Sequence, residues 1–195
     1  MRLARSLALA VVSLPLATAV WAAPADYKID PSHTVLGFWV THIGYAKTFG
    51  QFTEVDGGFT FDEETKTLSN LSVTVPTGSV STHHEARDGH VKNPDFLDVA
   101  SHPTMTFAAS GGEVTGDKTG TVTGELTLLG VTKPVTLDVV WNKSGPYPFG
   151  HKKHTMGISA TGTVKRSDFG MTYALGGIVG DEIEIVIEME AIRQD

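Results

Sequence analysis

The sequence predicts an all-β protein: an eight-stranded antiparallel barrel with one or two short helices inserted between strands. Three observations carry this. Apolar residues alternate with polar ones over short segments bounded by Gly- and Asp-rich turns, the period-two signature of strands. No helix recurs between those segments, so there is no βαβ rhythm and no parallel sheet is expected. One stretch alone, residues 81–107, breaks the alternation and reads as helical. Sequential antiparallel strands in this number remove their exposed edges by closing into a barrel. A two-sheet sandwich is the structural alternative.

The chain opens on a secretory signal, residues 1–22. Arg2 and Arg5 precede an apolar run from Ser6 to Val20, and Val20-Trp21-Ala22 suits cleavage before Ala23. The run is too short, and too interrupted by Pro15, to span a membrane. A domain over residues 23–195 remains. Loss of Arg2 and Arg5 leaves 13 of the 15 basic residues against 22 acids, a formal charge of −9. That balance disfavours nucleic acid and anionic membrane surfaces as partners. The absence of cysteine excludes disulfides, thiol chemistry and a cysteine-linked lipid anchor.

The strands follow in order. Residues 34–42 place Leu36, Phe38, Val40 and His42 on one face and Val35, Gly37, Trp39 and Thr41 on the other. Residues 49–61 add Phe52, Val55, Phe59 and Phe61, with Gly57-Gly58 suited to a bulge or a close backbone approach. Residues 68–77 bring Leu71, Val73 and Val75 to one face. Beyond the helical stretch come strands at 104–109, 120–129, 135–141, 155–165 and 181–192.

Within the interruption, Thr82 and Glu85 have the spacing of a capping box for a helix ending near Val91. Asn93-Pro94 is suited to starting a second short helix through Phe96, Leu97 and Val99, and His102-Pro103 returns the chain to an extended form. On the first helix, His83, Arg87 and His90 fall on one face, able to meet an anion or a polar head group, or simply to face water.

The inward set expected of the barrel is Leu36, Phe38, Val40, Phe52, Phe59, Val73 and Val75 from the first half of the chain. Met105, Phe107, Leu126, Leu128, Met156 and Ile158 continue it. Gly124 and Ala160 fall in the same phase, so these residues suit either a packed core or a channel. His84, Asp88 and His90, with His151 and His154, do not complete a metal motif, and no metal is expected. No nucleophile motif or phosphate-binding glycine loop occurs. Arg166 and Asp168 suit a chain crossing at a strand end, with Phe169 and Met171 plugging or lining one end.

Several segments together carry a family resemblance. Tyr27-Lys28-Ile29-Asp30-Pro31-Ser32-His33 opens the pattern. Thr82, Arg87-Asp88-Gly89-His90-Val91, Asp95-Phe96-Leu97 and Pro103-Thr104-Met105-Thr106-Phe107 form its centre. Gly124-Glu125-Leu126-Thr127, Gly130-Val131-Thr132-Lys133-Pro134-Val135 and Arg166-Ser167-Asp168-Phe169-Gly170-Met171 complete it. This series resembles the YceI-like family, departing from it at Val91 and Leu97, where Leu and Phe are usual. The resemblance implies a lipocalin-like barrel that holds a polyisoprenoid, such as a quinone tail or a prenyl pyrophosphate, in the periplasm, with a homodimer plausible. It turns the inward residues, with Phe169, into an apolar ligand lining, and His42, Arg87 and His90 into a polar mouth. No cofactor is required beyond a bound isoprenoid lipid or quinone. Two other readings stay open: an enzyme acting on a lipid or quinone head group, and a stress-related structural protein with a filled barrel.

Overall fold

The computed structural model describes residues 23–194, so the signal segment expected at residues 1–22 lies outside the described residues. The strands are β1 (Ala25–His42), β2 (Ala46–Phe52), β3 (Asp56–Asp62), β4 (Thr67–Pro76), β5 (Val80–Ser81) and β6 (Thr104–Ala109). They continue with β7 (Glu113–Val114), β8 (Thr119–Leu128), β9 (Val131–Pro146), β10 (His154–Lys165) and β11 (Val179–Gln194). One helix, α1 (Glu85–Val91), lies between β5 and β6.

All pairings are antiparallel, and β11 closes the sheet onto β1. These segments reduce to eight staves. β2 and β3 both run along β1, the first opposite its C-terminal half and the second opposite its first residues. β4 pairs with β3 and β5 with β2, so β2 and β3 together form one kinked stave and β4 and β5 the next. β7 only flanks β8. The closed eight-stranded meander therefore agrees with the period-two reading. The Gly57-Gly58 pair marks a close approach: a Cβ on Gly57 would lie 2.4 Å from the Ser72 carbonyl oxygen, and one on Gly58 2.4 Å from that of Tyr27.

The interruption differs from expectation in three ways. Thr82 does not cap α1; His84 does, its Nδ1 accepting from the Arg87 backbone N–H at 3.3 Å. Thr82 is drawn elsewhere, its N–H and hydroxyl both donating to Asp88 Oδ1. His83 has φ +61° and lies outside the helix, so the His83–Arg87–His90 face does not form. The second helix is replaced by a series of turns. Asn93 Oδ1 accepts from the Asp95 N–H at 2.8 Å, and Asp98 takes φ +41°, which no right-handed helix accommodates.

Two buried clusters form. The first unites Val80, Leu97, Leu128, Val135, Leu137 and Phe169 with neighbours from the strands and the segment after α1. The second, around Tyr27, Phe59, Met156 and Ala191, lies towards the other end of the barrel.

Candidate functional site

Between and beside these clusters the barrel is hollow. A cavity of about 800 Å³ runs through its interior. That is large even among small-molecule pockets, which span roughly 300–1,000 Å³. An open channel rather than a filled core follows from where the aromatic rings lie. The Phe38 ring covers Gly50, whose Cβ, if present, would sit 2.3 Å from Phe38 Cζ. Phe107 covers Gly124 in the same way, at 2.5 Å. Glycine seats let both rings lie along the wall instead of crossing the axis.

The lining holds every inward residue named above from Leu36 through Ile158. Leu36, Phe38, Val40, Phe52, Phe59, Val73 and Val75 line one part of the wall. Met105, Phe107, Leu126, Leu128, Met156 and Ile158 line another. Phe169 does not reach the cavity. It sits in a 3-10 turn beyond β10, where strand alternation no longer applies, and is 2 % exposed within the first core cluster. Its neighbour Met171 lines the cavity instead.

Two runs belong to the lining that the sequence reading missed. β11 contributes Ile183, Ile185, Ile187 and Met189, and β9 contributes Val135, Leu137, Val139 and Trp141. In β11 these alternate with Glu182, Glu184, Glu188 and Glu190, so the same period-two rule identifies them.

At the α1 end the cavity meets His42, Thr82, Arg87, His90, Phe96 and Tyr173. Arg87 is committed to the fold there. Its Nε donates to Thr82 Oγ1 at 2.8 Å and its Nη2 to the Thr82 carbonyl at 2.7 Å. His90 Nε2 lies 3.1 Å from Asp95 Oδ2, and its ring packs edge-on against Phe96 and Tyr173. His83 stacks on Phe49. The potential metal ligands of this stretch do not converge: His84 caps the helix, Asp88 holds Thr82 and His90 faces Asp95.

Arg166 closes the same end. It is 2 % exposed, and its guanidinium donates to the carbonyls of Gly180, Met171 and Val179 at 2.8, 2.8 and 3.0 Å. Asp168 is not its partner; Asp181, held by the Ser167 N–H and hydroxyl, is the nearby acid. Burial draws the Arg166 guanidinium below its ordinary value, and the Asp181 charge opposes that shift.

At the opposite end Glu63 Oε1 accepts from the Tyr27 hydroxyl at 2.5 Å and the Ser144 hydroxyl at 2.7 Å, and lies 2.7 Å from His154 Nε2. Nothing in the sequence draws these four residues together. Ser144 Oγ is also 2.7 Å from His154 Nε2. A nucleophile relay needs the acid and the hydroxyl on different imidazole nitrogens. Here both use Nε2, and the cluster serves as a tie between β1, the β3–β4 turn, β9 and β10. Burial, then the Glu63 hydrogen bond, push the Tyr27 hydroxyl well above its ordinary value.

A closed antiparallel barrel with an apolar interior open to small molecules defines a class of binding folds. The chain belongs to the family described as YceI-like domain, whose model matches residues 27–191. A UPF0312 protein of Pseudomonas aeruginosa is 39% identical over 194 residues, covering 98% of this chain and 100% of that protein. The crystal structure of a Campylobacter jejuni YceI protein superposes with a TM-score of 0.70 at 30% identity, covering 80% of this chain and 90% of that one. A polyisoprenoid binding domain from Saccharophagus degradans shares the fold, with a TM-score of 0.66 at 14% identity over 86% of this chain and 98% of that one. Among the described residues no helix is long and apolar enough to cross a membrane.

Proposed function

We propose that this protein is a periplasmic binding protein that holds a polyisoprenoid lipid, a quinone tail or the chain of a prenyl pyrophosphate, inside its barrel for transport, storage or protection. The observation that carries the reading is the continuous apolar cavity of about 800 Å³ bounded by eight staves. Removing apolar chain surface from water supplies affinity at roughly 25 cal/mol per Å². An interior lined largely by Leu, Ile, Val, Phe and Met offers a flexible chain many contacts and few polar ones. The name of the Saccharophagus degradans neighbour supports the same ligand class. His42 and His90 are the side chains at the α1 end suited to a head group, because the fork of Arg87 is occupied by Thr82. The reading assigns no catalytic residue.

Trp141 on the cavity wall provides the test. Titration with a long-tailed quinone should quench its fluorescence saturably, and a tail-less quinone of the same ring should do so only weakly. Equal quenching by both, without saturation, would contradict a chain-binding interior.

A further inference from the structure

We propose that Asp30, His33 and Glu190 form a binding site for a divalent transition-metal ion on the outer wall of the barrel. The site arises from a break in the closing seam. Register along β1 and β11 passes from Ile29 opposite Ala191 to Thr34 opposite Met189, so residues 30–33 loop out against the single residue Glu190. This bulge sets one acid and one imidazole over a second acid contributed from the far end of the chain.

The loop is ordered from within. Asp30 Oδ1 accepts from the Ser32 N–H at 2.9 Å and the Ser32 hydroxyl at 2.6 Å, and the Thr34 hydroxyl donates to the Asp30 carbonyl at 2.7 Å. These bonds aim the other carboxylate oxygen, Oδ2, at His33. His33 Nδ1 lies 2.8 Å from Asp30 Oδ2 and 3.9 Å from Glu190 Oε2. One ligand atom from each of the three residues lies within 4.8 Å of the other two. Bonds of about 2.0–2.1 Å in tetrahedral geometry separate neighbouring ligand atoms by roughly 3.3–3.4 Å. The two His33 separations bracket that value, so shifts of about half an ångström bring imidazole and carboxylates onto one ion.

Glu190 supplies an independent observation. Its Oε2 is out of contact with solvent and accepts no hydrogen bond, while the side chain as a whole is 33 % exposed and its carboxylate interacts with the Tyr147 hydroxyl. A carboxylate oxygen in that state is costly unless a donor or a cation satisfies it, and His33 Nδ1, at 3.9 Å, is too far to donate. Two carboxylates and a neutral imidazole match the charge of a divalent ion, and the 53 % exposed His33 side chain leaves room for water to complete the coordination. The bound ion would cross-link the seam where β11 closes the barrel, independently of what the cavity holds.

The test is calorimetric titration of the chelator-treated protein with zinc chloride, alongside a thermal melt with and without zinc. Wild type should take one equivalent with a rise in melting temperature. His33→Ala and Glu190→Gln should each weaken binding by about tenfold or more. His84→Ala, remote from the seam, should bind as wild type does. Glu190→Gln keeps the shape of its side chain and serves where His33→Ala folds poorly. Absence of saturable zinc binding to wild type, or undiminished binding by a folded His33→Ala or Glu190→Gln protein, overturns the proposal. The cluster would then be an ion triad in which a protonated His33 lies between two acids.

Discussion

The Arg166 guanidinium carbon lies 5.9 Å from the centroid of the Phe96 ring. This contact joins the end of β10 to the turns that follow α1, and so joins the two pieces of chain that close one end of the barrel. The cation is held there by the carbonyls of Met171, Val179 and Gly180. Lysine carries the charge but not the fork, and cannot reach all three. Each buried carbonyl left unpaired costs about 1–3 kcal/mol. Arg166→Lys should therefore lower the denaturation midpoint substantially, by about 2 kcal/mol or more in urea unfolding. An unchanged midpoint would show that solvent replaces the fork and that the clamp is unimportant.

Thr82 is the point where α1 is tied down. It is 4 % exposed, accepts from Arg87 through its hydroxyl and carbonyl, and donates to Asp88 through its hydroxyl and N–H. Arg87→Lys should cost about 1–2 kcal/mol of stability through the lost hydrogen bonds. It should weaken a neutral quinone and a prenyl pyrophosphate to similar degrees. Side-by-side titrations with both lipids, together with thermal melts, check this. Loss confined to the pyrophosphate at unchanged melting temperature would move Arg87 from the scaffold to the head group.

The glycine seats make the channel testable from the wall. In Gly50→Ala the three atoms nearest to the new methyl all belong to the Phe38 ring, at 2.3–2.8 Å. The ring must swing off the wall and into the cavity, at an overpacking cost of about 1–3 kcal/mol. Quinone affinity should fall by about tenfold, and adding Phe38→Ala should recover much of it by vacating the space. A folded Gly50→Ala protein with wild-type affinity would mean that the chain does not pass this point.

Acid stability reports on the tie at the other end. Burial alone would raise the Glu63 carboxyl, but hydrogen bonds from Tyr27, Ser144 and His154 outweigh it and hold Glu63 below its ordinary value of 4.5. A carboxylate depressed on folding contributes stability that is fully present above its unfolded value and is lost as pH falls through the folded value. The contribution should hold from neutrality to about pH 4.5 and disappear below it. Glu63→Gln should melt lower at pH 7 and converge on wild type in acid. Parallel curves over the whole range would show that Glu63 titrates alike in both states.

The staves were legible because alternation is a local property: residues 34–42 and 155–165 declare their inward faces without help from distant partners. The inward set followed from the same rule, while its role as a cavity lining was implied by the family resemblance alone; Ile183, Ile185, Ile187 and Met189 obey the same alternation, opposite a face that is nearly all glutamate. Phe169 is different. Once β10 ends at Lys165 the chain turns, and phase carries no information about what Phe169 touches. Thr82 and Glu85 have the spacing of a cap, yet Asp88 and Arg87 compete for Thr82 and win because they approach it from the formed helix. The groupings at Glu63 and at Glu190 unite residues from opposite ends of the sequence. Only strand register brings them together, and no local pattern announces register over that span.

The central claim is that the barrel interior carries a prenyl lipid, and the most direct measurement is mass spectrometry on the protein purified from its own host. Native spectra should show a single apolar adduct. Organic extraction of the same sample should release a molecule whose fragments differ by isoprene units, present in wild type and reduced in Gly50→Ala. A protein that retains no lipid, and that takes up neither a long-tailed quinone nor a prenyl pyrophosphate when these are supplied, would contradict the account.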